Sequence, residues 1–242
     1  MRSITLVSLT AVALAGFGGY ARADDALDQL QRANQAQFRL ISEDLGSALS
    51  YKSLTPAEPL GALGFDIDIE VTATSVKNRP LIEQVSSSSI PSTVPVPKLH
   101  VHKGLPGGFD VGLSYSAVPS LGVSLIGGEL RYAILEGTAA TPAVSVRGSF
   151  SKLSGVDQLK FDTKAIDISV SKGFLNFTPY AGIGQVWVDS NPQNVPLLNK
   201  ESFTQTKVFA GANVNFGLAN LLFEVDQTGK AVSYGAKLGF RF

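Results

Sequence analysis

Residues 65–76 read FDIDIEVTATSV, and the polarity changes at every step. Asp66, Asp68 and Glu70 stand at i, i+2 and i+4, with Phe65, Ile67, Ile69, Val71 and Ala73 on the other parity. Three carboxylates at that spacing suit no buried helix, but they share one face of a strand. The same period returns in KLHVHKG, FDVGLSYS, GELRYAIL, AVSVRGSFSKL, AIDISVSKG, YAGIGQVWV, KVFAGANVNFG, ANLLFEVD and the closing VSYGAKLGFRF. The pattern predicts ten strands over residues 61–242, with eight and twelve as the neighbouring counts. Gly127-Gly128 shifts the parity between Leu125 and Leu130, which predicts a bulge there.

Upstream of the strands the period is different. Arg2 followed by ITLVSLTAVALAGFGG and Ala21-Arg22-Ala23 has the form of a secretory signal over residues 1–23, cleaved after Ala23; a membrane anchor is the competing reading. Residues 24–60 form a helix and linker. Leu27, Leu30, Phe38, Ile41, Leu45 and Leu49 make one apolar stripe over 25–49, with Asn34 filling a gap in the series and Gly46 ending or bending the helix. The chain contains no cysteine, so an exported protein of this size does without disulfides. Removing Arg2 and Arg22 from 20 basic residues leaves 18 against 20 acidic ones, a balance that predicts no nucleic-acid partner.

Alternation alone leaves two barrels open. In a soluble barrel the apolar parity faces inward; in a membrane barrel it faces lipid and the small and charged residues face the lumen. Several features favour the membrane form. The polar parity is rich in Gly and Ser: Gly112, Ser114, Ser116, Ser145, Ser149, Ser169, Ser171, Gly235 and Gly239. Charged residues are 17% of the chain, low for a water-exposed surface. Phe65, Phe109, Tyr115, Tyr132, Phe150, Tyr234 and Phe240, with Phe216 and Phe223, lie on the apolar parity toward strand ends, as interfacial girdles do. The two longest connections, 77–96 and 190–203, follow odd-numbered strands and so fall on one end, the outer one. The expected fold is therefore all-β: a closed antiparallel up-and-down transmembrane barrel of about ten strands, preceded by an amphipathic helix.

The ending GFRF, an alternating strand closed by Phe242, resembles the last strand of Gram-negative outer-membrane β-barrel proteins, and TPYAGIG at 178–184 resembles a strand common in small members. The resemblance covers residues 61–242 and is a superfamily pattern. It implies a location in the cell outer membrane, lipid as solvent, and a terminal Phe242 that the barrel-assembly machinery reads. The helix at 25–49 departs from the simplest members, which begin almost directly with a strand.

Closing the sheet requires the last strand to pair with the first, which brings Lys237 and Arg241 toward Asp66, Asp68 and Glu70 and predicts ion pairs in the lumen. His100 and His102 share the polar face of the second strand, and a simple turn at 105–108 sets His102 opposite Asp110, with Glu70 on its other side. Such a row could ligate a metal or do acid–base work; an ordinary charge network with Lys98 and Lys103 is the favoured reading. Glu129, Arg131 and Arg147 face one another across strands four and five, where they narrow a pore or pin the register. No GxSxG elbow or phosphate loop occurs, and no cofactor, metal or catalytic residue is expected. For the helix, covering the periplasmic mouth is favoured over plugging the lumen, because a ten-stranded barrel is tight for a helix ~10 Å across. The functional expectation is a small channel or solute-transport barrel with a mixed-charge lumen and a small solute as partner. A passive barrel acting through its outer loops is the alternative, and a barrel-borne enzyme a third.

Overall fold

The computed structural model describes residues 33–86, 91–118 and 122–242. The expected leader and the first part of the expected helix, with Leu27 and Leu30, lie outside them. Ten antiparallel strands close into one barrel: β1 (Phe65–Ser75), β2 (Thr93–Leu105), β3 (Phe109–Val118), β4 (Val123–Leu135), β5 (Ala143–Ser154), β6 (Leu159–Ser171), β7 (Phe177–Pro192), β8 (Glu201–Phe216), β9 (Ala219–Thr228) and β10 (Ala231–Arg241). Each strand pairs with its sequence neighbour, and β10 returns to β1 from Asp66↔Arg241 to Thr74↔Ser233. Phe242 extends that seam: its N–H donates to the Phe65 carbonyl (3.0 Å), and the Phe65 N–H donates back (2.7 Å).

Among the described residues, two helices stand at the end where the long connections lie. α1 (Gln35–Leu49) precedes β1, and α2 (Arg79–Ser86) lies between β1 and β2. No helix among the described residues is long and apolar enough to cross a bilayer. Asn34 is the N-cap of α1 rather than a gap in its stripe. Its side chain accepts from the Gln37 N–H, and the Gln37 side chain accepts from the Asn34 N–H. Gly46 does not end α1. The helix runs on to Leu49, and a Cβ at Gly46 would stand 2.6 Å from Gln205 Oε1 and 2.8 Å from a Val188 methyl, so the glycine permits close seating on the wall.

The turn end carries the short β2–β3 and β8–β9 connections and the C-terminus. The loop end carries 76–92 and 193–200. The latter is shorter than expected because β7 and β8 continue to Pro192 and from Glu201, 16 residues each. Strand β2 begins inside the expected loop, and Pro95 and Pro97 are tolerated because that stretch pairs with β1 alone. The Gly127-Gly128 bulge is absent: pairing with β3 and β5 runs through both glycines unbroken, and the shift comes at Ala133/Leu135. The parity break that suggested it is Leu125, an apolar residue that points into the barrel.

Candidate functional site

The barrel is not hollow. From α1 the chain passes through the lumen to β1, and Tyr51, Lys52, Ser53, Leu54, Thr55 and Ala57 are all buried. The helix seats in the loop-end mouth. Phe38 and Ile41, with Leu45 and Leu49 beside them, pack on the inward side chains Leu159, Phe161, Ala165, Val186 and Val188. Ser42 Oγ donates to Ser190 Oγ (2.8 Å), and Ser47 Oγ donates to the Thr228 carbonyl (2.8 Å). Below the helix the extended chain is bound at successive depths. Lys52 Nζ pairs with Asp226 (3.3 Å) and donates to the Ser47 carbonyl (2.7 Å). Lys207 Nζ donates to the Tyr51 carbonyl (3.2 Å), and the Tyr51 hydroxyl meets His100 Nε2. Arg131 donates to Thr55 Oγ1 (3.0 Å) and to the Pro56 carbonyl. The Ala57 N–H donates to Ser171 Oγ (3.1 Å), and the Leu60 N–H to Asp110 Oδ1 (3.0 Å). A turn-end vestibule of about 740 Å³ lined by Glu58, Leu60 and Ala62 lies at the far end of this path.

Expectation and structure differ here. The helix is at the loop-end mouth rather than at the turn-end mouth expected for it, and ten strands do admit a plug. They do so because the narrow part of the lumen takes an extended chain, not a helix. Small wall residues make the room: a Cβ on Gly127 would fall 2.6 Å from the Tyr51 ring, and one on Gly235 2.7 Å from a Leu54 methyl.

The charged wall is built by the alternation. Lys237 Nζ lies 2.9 Å from both Asp66 and Asp68, and Arg241 lies 3.6 Å from Asp66. Glu70 pairs instead with Lys98 (2.7 Å). Arg131 holds Asp110 (2.8 Å), while Arg147 holds Asp167 (2.8 Å) and stands 3.7 Å from Glu129. Arg131 and Arg147 are direct cross-strand neighbours, and their like charges are separated by these carboxylates. The expected histidine row is displaced, by two residues at Asp110 and by four at Glu70. His102 is opposite Asp66 and Gly112, Asp110 is opposite Gly104, and Glu70 is opposite Lys98. Lys103 leaves the network altogether; it sits on the outer parity over the Phe65 ring at 4.3 Å. Lys207, Glu224 and Asp226 also face inward and were legible from strand parity; Lys52, in a segment with no period, was not.

His100 and His102 are fully buried with ring centroids 4.1 Å apart. Neither His102 nitrogen makes a hydrogen bond; Asp68 stands 3.9 Å from one and Glu129 3.6 Å from the other. Asp66–Asp68–His102 and Asp68–Glu70–His100 each keep a set of ligand atoms within 4.8 Å, a spacing a divalent cation could use. Lys237 and Lys98 already supply the countercharge in those sets, so a cation would have to displace an ammonium group.

Outside, the polarity is reversed. Ile67, Ile69, Val71, Leu99, Val101, Leu113, Leu130, Ile166, Ile168, Ile183, Val208 and Leu238 are exposed around the wall, while the residues between them are buried and polar. Phe65, Phe109, Tyr132 and Phe240 lie toward the turn end, and Tyr115, Phe150 and Tyr234 toward the loop end. An even-numbered closed barrel with this surface is built for lipid. The chain forms a closed, ten-stranded antiparallel barrel with an apolar outside and a polar inside.

No protein-family model matches the sequence, and no curated protein does. Among solved structures, the chain is similar to a loop L8 deletion mutant of OmpT, an outer membrane protein of Vibrio cholerae, at 16% identity over 64% of this chain and 57% of that one, TM-score 0.33. This chain thus spans little more than half of that protein's length. The KdgM porin in complex with disordered oligogalacturonate is 8% identical over 73% of this chain and 99% of its own, TM-score 0.39. The beta domain of the Bordetella autotransporter Brka is 11% identical over 75% and 100%, TM-score 0.41. Likenesses this distant concern the fold alone.

Proposed function

We propose that this barrel sits in the Gram-negative outer membrane with its long connections outward, is closed at rest by its own N-terminal segment, and acts at the cell surface through α1, α2 and the β7–β8 hairpin. The observation that carries this reading is the buried path of residues 51–57, tied to the wall through His100, Arg131, Ser171, Lys207 and Asp226. An open pore would need that path to be water. Catalysis has no part in the reading, because both histidines are enclosed between wall and plug. Assembly through the terminal strand belongs to the same proposal, supported by the place of Phe242 at the closing seam.

A second reading keeps the expected solute channel but makes it conditional. The wall behind the plug carries paired charges of both signs, so release of the plug would expose a polar conduit. Planar-bilayer conductance separates the two. The full chain is expected to be silent, and a variant lacking residues 35–60 to conduct in steady steps, with a heat-dependent gel shift showing that it is still a barrel. Brief openings of the full chain would favour the conditional channel. Steady conductance of the full chain would refute plugging.

A further inference from the structure

The direction in which the plug is threaded has a consequence for the surface of the cell. The end of the plug that joins β1 is at the turn end: Gly61 lies against Gly104, and Lys103 Nζ donates to the Ala62 carbonyl (2.7 Å). The other end, at Asn34, is at the loop end. There the Gln35 side chain donates to the Asn199 carbonyl (3.2 Å) and accepts from the Asn199 N–H (2.8 Å). Arg39 pairs with Glu201 (3.2 Å) and stacks over Phe203 at 4.0 Å, and Asp44 accepts from the N–H groups of Lys77 (3.2 Å) and Asn78 (2.8 Å) in the β1–β2 connection. Every one of these partners belongs to a connection or strand end on the loop side.

The span is sufficient. Residues 50–60 in extended form reach about 35 Å, more than the ~25 Å apolar band of an outer-membrane barrel. The chain therefore crosses the whole wall inside the lumen, in the direction opposite to β1. A barrel whose strands begin and end at the periplasmic side would ordinarily leave its N-terminal segment there as well. Here α1 and its N-cap Asn34 are on the far side.

We propose that the barrel carries its own N-terminal segment through the membrane, so that Asn34 and α1 stand on the outer surface of the cell. The function that follows is surface display: the lumen is occupied by a translocated strand, the ion pair at Lys52 and the bonds from Arg131 and Lys207 hold it in transit position, and α1 stops it at the outer mouth. The inference rests on the outer-membrane reading with the long connections outward.

The absence of cysteine from the sequence makes the test direct. Three single-cysteine variants are expressed in a Gram-negative host and treated, as intact cells, with a membrane-impermeant maleimide. Ala36→Cys places the thiol on an exposed position of α1, Leu197→Cys on the β7–β8 connection (79% exposed), and Ala62→Cys on an exposed position at the turn end. The expected result is labelling of the Ala36→Cys and Leu197→Cys proteins on intact cells, and of the Ala62→Cys protein after permeabilisation alone. Labelling of Leu197→Cys without Ala36→Cys would overturn the threading while leaving the barrel's placement intact. Labelling of Ala62→Cys alone would show the barrel inverted, and no labelling before permeabilisation would remove the protein from the surface; either result overturns the outer-membrane reading and the display proposal together.

Discussion

Lys52→Met is the most informative single change. Lys52 is 1% exposed and lies 3.3 Å from Asp226, which is equally enclosed. Its ammonium also donates to the Ser47 carbonyl and to Ser50 Oγ (3.2 Å), stapling the end of α1 to the extended chain. Methionine keeps most of the stem volume but leaves Asp226 buried with the Thr228 hydroxyl (3.1 Å) as its remaining short-range donor. Breaking one side of a buried pair costs about 3–5 kcal/mol. The cost falls on the plugged state, because the undocked chain leaves Asp226 to water. At 1.36 kcal/mol per decade, the unplugged population rises by roughly two to three and a half orders of magnitude. Hydrogen exchange of residues 50–58 in detergent reads that population, and single-channel recording reads it as openings absent from the parent. Adding Asp226→Asn removes the orphaned charge, and the double variant should recover most of the closure. Barrel closure, followed by the heat-dependent gel shift, should not change in either variant. Exchange in Lys52→Met as slow as in the parent would refute the claim that this pair holds the plug.

Three further outcomes are expected. Gly127→Val pushes a side chain into the space of the Tyr51 ring, so it should loosen the plug by about 1–3 kcal/mol while the barrel still forms, read by faster exchange at residues 50–58. Ile69→Arg puts a charge on the outer surface near the middle of β1, where Ile69 is 54% exposed; it should cost about 2–4 kcal/mol in refolding into lipid vesicles, and a neutral effect would argue that this face meets water. Asp44 lies at the loop-end mouth, and burial raises its carboxyl above the ordinary aspartate value despite the Asn78 and Lys77 N–H bonds, which lower it. The docked state thus binds the proton more tightly. The contribution of Asp44 to docking is fully present below the undocked value and is lost as pH rises through the raised one, so exchange of α1 should quicken over that interval in the parent and not in Asp44→Asn.

The strands were legible because strand parity is a local property. In VSYGAKLGFRF alternation alone sorts the residues into two faces, and the structure places Lys237 and Gly235 inward and Tyr234 and Phe240 outward. The register was less legible. The sequence brought His102 and Asp110 face to face, but the β2–β3 turn begins after Leu105, which slides Asp110 to Gly104 and hands it to Arg131. A shift of two residues in register changes every cross-strand partner without changing any parity, whereas a shift of one would turn every side chain to the other face.

The plug is where local reading failed. YKSLTPAEPL has neither helical nor strand period, so nothing in it announces burial. The apolar stripe of α1 was legible, but its partner was hidden: near the loop end of β6 and β7 both parities are apolar, with Ile183 and Trp187 turned to lipid and Phe161, Val186 and Val188 turned inward. The sequence by itself determined a count of about ten strands from alternation, the lipid-facing parity from the small residues on one face and the aromatics on the other, and the closure of the sheet from the cost of unpaired backbone in hydrocarbon. The tertiary structure alone decided what fills the lumen and in which direction it runs, because the bonds that tie residues 51–57 to the wall each join one unpatterned residue to a position distant in sequence, and such pairings exist only once the ring is closed.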